Sequence, residues 1–531
     1  MVKDSVVLRN YQVIGVYHII GCPRLVLGDS AGLGKTIEAL VAYAYLKEVD
    51  PTLKLLVVAS KSALYQWKEE VETFLTGVKA EVVRSGTVKD EFGSIVYGKP
   101  EVGENGKVTK KAKPLSGDES RAYQFDRAFS RNTDILVINY NTLVDEFEID
   151  PVRKDKVVPK SGSFLPKLGK FFVVFDEATY FKSTKSLTFR AAAATSLMAT
   201  RVLGMTATIL KNRLDEAFAI YKVVCPGVFK NITEFNKSYA ISFLMPITIN
   251  GIKRKIPKIT GYKNLPQFRA TIDPYYLGRS KQEVAKELPK IISKTIRLEM
   301  EGKQEQAYLD ALSGVLEVKS GKEITPLSAL IYCQQISDSP EIIGVKAGSS
   351  KEDALFEMFD ETLAGQKVII YTNFKKLIDR MEIVFASKKI PMVRITGDET
   401  SEQRDKNKAI FQDASSGVDV IWINRAGSES INLQAASSFV FFDSPWSYGD
   451  YIQLIGRAQR IGSEQESIMV YHLVNKGTID EHVLKTLKSK QDLVHSVFGD
   501  TATGELKFEE RFVGELFAEM LKDATAKSVS G

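Results

Sequence analysis

The sequence predicts an α/β fold: two doubly wound parallel-sheet lobes with helical insertions between them. Three observations predict it. Two separate stretches alternate short, uniformly apolar runs with helix-length segments, the pattern of a doubly wound α/β domain. Those runs are apolar at every position rather than at alternate ones, as in parallel strands covered on both faces. Between the two stretches the rhythm stops and helical patterning with basic loops takes over.

In the first stretch the candidate strands are residues 24–28 (RLVLG), 54–59 (KLLVVA), 134–138 (DILVI), 171–175 (FFVVF) and 200–204 (TRVLG), with a helix over 36–49 after the first. Residues 86–121, rich in Gly, Lys, Glu and Ser, read as a loop or exposed hairpin, and 150–169 is similar. The cluster Lys110, Lys111 and Lys113 reads first as a solvated loop, with an address signal or a nucleic-acid contact as alternatives. From about 223 to 348 the pattern is helical, with no obvious strand series. Alternation resumes at 367–372 (KVIIYT), 392–396 (MVRIT), 418–423 (VDVIWI), 438–443 (SFVFFD) and 467–473 (SIMVYHL). Phe508, Phe512, Leu516 and Met520 fall four apart and predict an apolar helix stripe in the tail. The implied division is a first lobe over 1–222, helical protrusions and linker over 223–350, a second lobe over 351–498 and a tail helix over 499–531.

Composition narrows the class. The 531 residues are 44% hydrophobic and 26% charged, ordinary for globular domains. No run reaches the 18 or so apolar residues of a membrane helix, and the N-terminus lacks signal-peptide order. Three dispersed cysteines and four histidines argue against a disulfide framework or a His/Cys metal site, so a soluble protein of a reducing interior is expected. The net charge of +6 permits nucleic-acid binding through local patches without announcing it.

Three elements carry chemistry. RLVLGDSAGLGKT (24–36) is strand, glycine loop and helix start. Gly32 and Gly34 let the backbone approach a phosphate, the loop amides and helix N-terminus cradle it, Lys35 supplies a point charge and the Thr36 hydroxyl can ligate magnesium. Asp29 stands where the strict motif has its first glycine. FFVVFDEA (171–178) is a core strand ending in two carboxylates. Asp176 at its tip suits a magnesium ion held through water, and Glu177 suits orienting and deprotonating the attacking water. IGRAQRIG (455–462) brings Arg457 and Arg460 three apart on an expected helix face, an arginine pair that reads as fingers toward the γ-phosphate.

Taken together, these motifs resemble the Swi/Snf-type ATPases of helicase superfamily two, from about residue 7 to 498. LRNYQ (8–12) is similar to the family's LRPYQ, which implies that Gln12 reads adenine. GDSAGLGKT resembles DEMGLGKT, including the absent first glycine. VVASKSALYQW (57–67), INYNTL (138–143) and MTATILKN (205–212) resemble motifs Ia, Ib and III. GYKNLPQFRATIDPYYLGRSKQEVAKELPK (261–290) resembles the segment with the LRRxKxDV run. VIIYTNF (368–374), AGSESINLQAA (426–436), DSPW (443–446) and QLIGRAQRIG (453–462) resemble motif IV, motif V, DPPWNP and motif VI. The resemblance implies two RecA-like lobes, ATP and Mg2+ as cofactors, and hydrolysis through Lys35, Asp176, Glu177, Arg457 and Arg460. No chromodomain, bromodomain or zinc finger is recognisable, so the likeness is to compact members such as the annealing-helicase branch and phage or bacterial proteins.

The sequence also departs from the family. Thr179 replaces the histidine of DEAH and cannot relay between phosphate and motif III as a histidine would. Ser428 and Ser430 replace motif V glycines, Gln459 a motif VI histidine, and Gly278 the first arginine of LRR. Hydrolysis is expected to survive, with coupling the property at issue. For DNA, the resemblance implies a duplex gripped by its backbone with little sequence preference. Ser60, Lys61, Asn139, Tyr140, Thr372, Asn373 and Asn432 are the candidate contacts, each otherwise a turn or cap residue. Trp446 suits stacking or packing, with packing the first expectation. The function expected is an ATP-driven motor on double-stranded DNA. The alternatives are a nucleotide-dependent DNA clamp with impaired coupling and an RNA- or DNA-unwinding helicase.

Overall fold

A computed structural model describes residues 1–90, 93–98, 101–102, 108–110, 112–207, 209–210, 213–249, 252–284, 288–313, 326–428, 431–460, 463–498, 505–507, 520 and 522. The chain forms two compact units, Met1–Phe235 with Ala270–Ser280, and Asn236–Arg269 with Lys281–Gly531.

The first unit is built on a seven-stranded parallel sheet. Across it, in order, lie Tyr276–Leu277, Arg24–Leu27, Arg201–Met205, Phe171–Asp176, Lys54–Ala59, Ile135–Asn139 and Ala80–Val83. The five strands read from the sequence are all present. Their central residues are fully buried, Val57, Val137, Val174 and Leu203 among them, because helices cover both faces. The two edge strands are short, and neither stands out as an apolar run. The register aligns Leu27 with Met205 and Met205 with Asp176, so these three strand ends form one row at the carboxyl edge of the sheet. Ligands of doubly wound sheets bind outside that edge.

The second unit holds a six-stranded parallel sheet in the order Lys290–Leu298, Ser467–Asn475, Ser438–Phe441, Val368–Tyr371, Val420–Ile423 and Met392–Ile395. Helices Gly302–Ser313, Pro326–Asp338 and Ile479–Phe498 bury Tyr308, Leu312, Cys333, Ile336, Val483 and Leu487 in one cluster with Met520. Lys351, fully buried, ties them to the sheet: its ammonium lies 2.8 Å from both Asp338 and Asp480 and donates to the Phe442 carbonyl at 2.9 Å.

The segment over 223–350 departs from its helical reading. Strands Ala240–Ile249 and Ile252–Lys263 form a long antiparallel hairpin, joined by Glu505–Lys507 beside Gly261–Lys263. Tyr276–Leu277 closes one edge of the first sheet and Lys290–Leu298 one edge of the second. The physical reason is that edge and hairpin strands carry mixed polar sequence, which hides them from a search for apolar runs. In the loop over 86–121, Glu101–Val102 pairs with Val108–Lys110 as a hairpin, while Lys111 lies outside the described residues. Of the tail stripe, Phe508, Phe512 and Leu516 also lie outside them, and Met520 is buried.

Candidate active site

The glycine loop sits where the sheet edge requires it. Strand Arg24–Leu27 runs into the loop and helix Lys35–Val49 leaves it, with Gly34 as its left-handed N-cap. Gly32 and Gly34 have φ of 86° and 85°. The positive φ demands glycine at 34, and a Cβ there would in addition push on the Gln12 amide nitrogen, 2.5 Å away. Gln12 is buried against the loop. Its amide donates to the Leu33 carbonyl at 3.1 Å and its carbonyl oxygen accepts from Arg9 N at 2.9 Å. The Lys35 ammonium donates to the carbonyls of Asp29 at 2.7 Å and Ser30 at 3.3 Å, inside the loop it serves. Burial lowers its pKa, with Asp29, Glu177 and Asp176 opposing.

Two strands across the same edge, the acidic pair is held from several sides. Asp176 ends its strand; Trp67 donates its indole N–H to Oδ2 at 2.8 Å, and the Tyr140 hydroxyl donates to the Asp176 carbonyl at 2.8 Å. Burial pushes the Asp176 carboxyl up to about 6, against the Trp67 hydrogen bond. Such a carboxylate gains from a nearby cation, and with the Thr36 hydroxyl and water it would make the oxygen-only donor set that magnesium takes. Glu177 turns out of the strand at φ 55°. Its Oε1 accepts from Thr179 at 3.1 Å and from Thr206 at 3.0 Å. One Glu177 oxygen thus holds the hydroxyls of Thr179 and of Thr206, the latter in the segment that resembles motif III.

A feature the sequence reading missed lies behind the loop. Arg279, 250 positions downstream, brings its guanidinium to Asp29 and Glu38, both fully buried. Burial pushes Glu38 up to about 8, with Asp29 adding to the rise and Arg279 opposing it. The neighbouring departure at Gly278 has a steric cause, since a Cβ there would come within 2.0 Å of the Tyr276 hydroxyl. The signal available was the single arginine left in the LRR-like run.

In the second unit, helix Tyr448–Ala458 ends before Arg460, because Gln459 leaves helical geometry at ψ 86°. Arg457 and Arg460 therefore do not share a helix face, as their spacing had suggested. Both are half-buried, and Arg460 Nε donates back to the Gly456 carbonyl at 3.3 Å. Gln459 donates its side-chain amide to the Pro289 carbonyl at 2.8 Å, while its own carbonyl accepts from Lys281. Ser428 is buried, with its hydroxyl on the Arg425 carbonyl at 2.9 Å; Ser430 lies outside the described residues.

The candidate DNA contacts divide. Lys61 and Asn432 are exposed, and Ser60 is half-exposed with its hydroxyl 2.9 Å from that of Ser62. Asn139, Tyr140 and Thr372 are buried and their side chains are bonded within the protein. Asn139 caps the next helix by accepting from Thr142 N, Tyr140 stacks on Tyr180 at 4.6 Å, and Thr372 accepts from Phe374 N. Asn373 donates to Asp443 and the Ser444 carbonyl. Trp446, expected in the core, is 39% exposed, with its indole N–H reaching inward to the buried Gln334 at 3.3 Å.

Residues 11–342 match the SNF2-related domain and residues 350–462 the helicase conserved C-terminal domain. An "uncharacterized ATP-dependent helicase" of Mycoplasma pneumoniae is 25% identical over 97% of this chain and 44% of its own length. The CHD3-type chromatin-remodeling factor PICKLE of Arabidopsis thaliana is 24% identical over 92% of this chain and 34% of its own length. The solved SWI2/SNF2 ATPase core of Sulfolobus solfataricus in complex with dsDNA is 21% identical, with 94% of each chain covered and a TM-score of 0.38. The chain spans less than half the length of these curated relatives. No described helix is long and apolar enough to cross a membrane. The first domain match alone covers more than half of the sequence, and the chain belongs to the SNF2-related family.

Proposed function

We propose that the chain is an ATP-driven motor that tracks on double-stranded DNA and remodels DNA or protein–DNA complexes. The observation that carries this reading is the placement of Glu177. It stands beside Asp176 at the carboxyl edge, held by two threonine hydroxyls, with the glycine loop two strands away. Two strand spacings are about 10 Å. That separation accommodates a polyphosphate lying over the loop with a water between its terminal phosphorus and Glu177.

In this reading the Lys35 ammonium exchanges the loop carbonyls for β- and γ-oxygens. Thr36 and Asp176 would hold magnesium, which neutralises charge on the phosphate oxygens. Glu177 orients the attacking water and takes its proton, and Gln12 contacts the base. Arg457 and Arg460 of the second lobe meet the charge that develops at the γ-phosphate, so turnover follows lobe closure. Lys61, Ser60 and Asn432 remain suited to a phosphate backbone. The hairpin strand Ile252–Lys263 adds Lys255, Lys258 and Lys263, with no acidic residue between 240 and 263.

The test measures ATP hydrolysis with and without duplex DNA, then displacement of a triplex-forming strand. Stimulation by duplex above single-stranded DNA or RNA, with displacement, is expected. Duplex binding without displacement would replace the motor with a clamp, and equal stimulation by RNA would favour an RNA helicase.

A further inference from the structure

We infer that Arg279 is the positioning residue of the phosphate loop, holding Asp29, and through it Lys35, in the geometry that receives a polyphosphate. The inference rests on the ATP-binding reading of that loop. It starts from Asp29, which faces two ways. Its backbone carbonyl accepts from the Lys35 ammonium at 2.7 Å. Its carboxylate accepts from Arg279 Nε at 3.0 and 3.1 Å, from an Arg279 terminal nitrogen, and from the Arg279 backbone N–H at 2.9 Å. Backbone contacts on either side complete the clasp. Gly28 N donates to the Leu277 carbonyl at 2.7 Å, and Ser30 N donates to the Arg279 carbonyl at 3.1 Å. Residues 28, 29 and 30 are thus each bonded to 277–279, one after another.

The guanidinium does more than balance one charge. It also donates to both Glu38 oxygens at 2.9 and 2.8 Å and to the Tyr11 carbonyl, and it lies 5.2 Å from the centre of the Tyr11 ring. Tyr11 and Gln12 both bond the Leu33 carbonyl, so one planar cation organises the loop from both ends. The fully buried Asp29 carboxylate beside a phosphate site opposes anion binding unless a cation neutralises it, while Glu38, pushed up by burial and by Asp29, adds acceptors more than charge. A forked, permanently charged donor meets this set of acceptors, and an ammonium does not. Space is also restricted. Tyr276 lies over Gly28, where a Cβ would come within 2.4 Å of its ring, so the 276–279 segment and the loop fit against each other only in this arrangement.

A loop-positioning residue acts before chemistry. Arg279→Lys and Arg279→Gln are therefore expected to weaken ADP binding and to raise the KM for ATP by about tenfold or more, the cost of losing a charge-assisted hydrogen bond. The kcat at saturating ATP should change far less, because binding in ground and transition states falls together. Asp29→Asn, which keeps shape and acceptor, should give the same split, and Asp29→Asn with Arg279→Gln should cost little beyond either alone. Thermal melts without nucleotide select the variants that fold; Asp29→Asn serves if neither arginine variant does. Folded variants that melt earlier yet bind ADP as the wild type does would make Arg279 a structural brace and overturn the inference. A wild-type protein that binds no Mg-ADP would instead overturn the ATP reading itself.

Discussion

Trp67→Phe isolates one hydrogen bond at Asp176, the carboxylate proposed to hold magnesium. Trp67 is 2% exposed and donates to Asp176 Oδ2 at 2.8 Å, and phenylalanine keeps an aromatic ring there without the donor. A hydrogen bond to a charged group is worth about 1.5–3 kcal/mol, and about 1.4 kcal/mol is one pKa unit. Taking the lower end, the Asp176 carboxyl rises from about 6 to about 7. The ionised fraction then falls about twofold at pH 7 and about fivefold at pH 6, with little change at pH 8. A metal ligand must be ionised, so Mg2+-dependent nucleotide affinity follows that fraction. The assay titrates a fluorescent ATP analogue into both proteins at the three pH values, with and without EDTA. A loss of equal size at every pH, or none at pH 6, would refute the role given to Trp67 and Asp176. The sign for stability runs the other way. The folded carboxyl titrates near 6 against an ordinary 3.8, so its stabilising share is complete below 3.8 and lost as pH rises through about 6. Mg-ATP should therefore raise the melting temperature most above that pH.

Further outcomes follow from the same geometry. Lys35→Ala and Glu177→Gln should each abolish turnover, with Glu177→Gln still binding ATP; near-normal hydrolysis by Glu177→Gln would remove it as the base. Arg457→Ala and Arg460→Ala should cut single-turnover hydrolysis by about 10³–10⁵ at nearly unchanged ATP affinity, and Arg457→Lys should not rescue it. Wild-type rates in both alanine variants would sink the arginine-finger assignment. Duplex affinity should fall log-linearly with salt and alike for unrelated sequences. Replacing Lys255, Lys258 and Lys263 by alanine should flatten the slope by about 0.9 for each phosphate no longer neutralised, and an unchanged slope would take the hairpin out of the DNA surface. Lys351→Met strands the Asp338 and Asp480 carboxylates in the core and should cost about 3–5 kcal/mol in urea unfolding; a loss under about 1 kcal/mol would mean that water reaches them.

Both sheets were legible where strands are central. Val57, Val137, Ile369 and Ile421 sit in runs apolar at every position, and burial on two faces leaves no other composition stable there. The edges were not legible for the same reason inverted. Residues 80–83 and 290–298 have one covered side or solvent along one edge, so their sequences mix Glu, Lys and Ser with apolar residues. The long hairpin over 240–263 escaped too. Its strands pair with each other, and Pro246, Pro257 and five basic residues mask the β pattern.

Within the site, legibility depended on how far apart in sequence the partners lie. Lys35, Asp176 and Glu177 announce themselves because each belongs to a strand-to-turn motif whose geometry is local. What orients them is not local. Glu177 is bonded to Thr206, 29 residues on; Asp176 to Trp67, 109 back; Asp29 to Arg279, 250 on. The departures show the same division. The bond from Thr206 to Glu177 crosses between neighbouring strands and leaves no trace in either motif. Gly278 likewise answers to Tyr276, whose hydroxyl would lie 2.0 Å from a Cβ there. The groups expected to react are thus encoded locally, and their alignment is encoded by distant residues whose types alone, one Trp, one Thr and one Arg, do not mark them out.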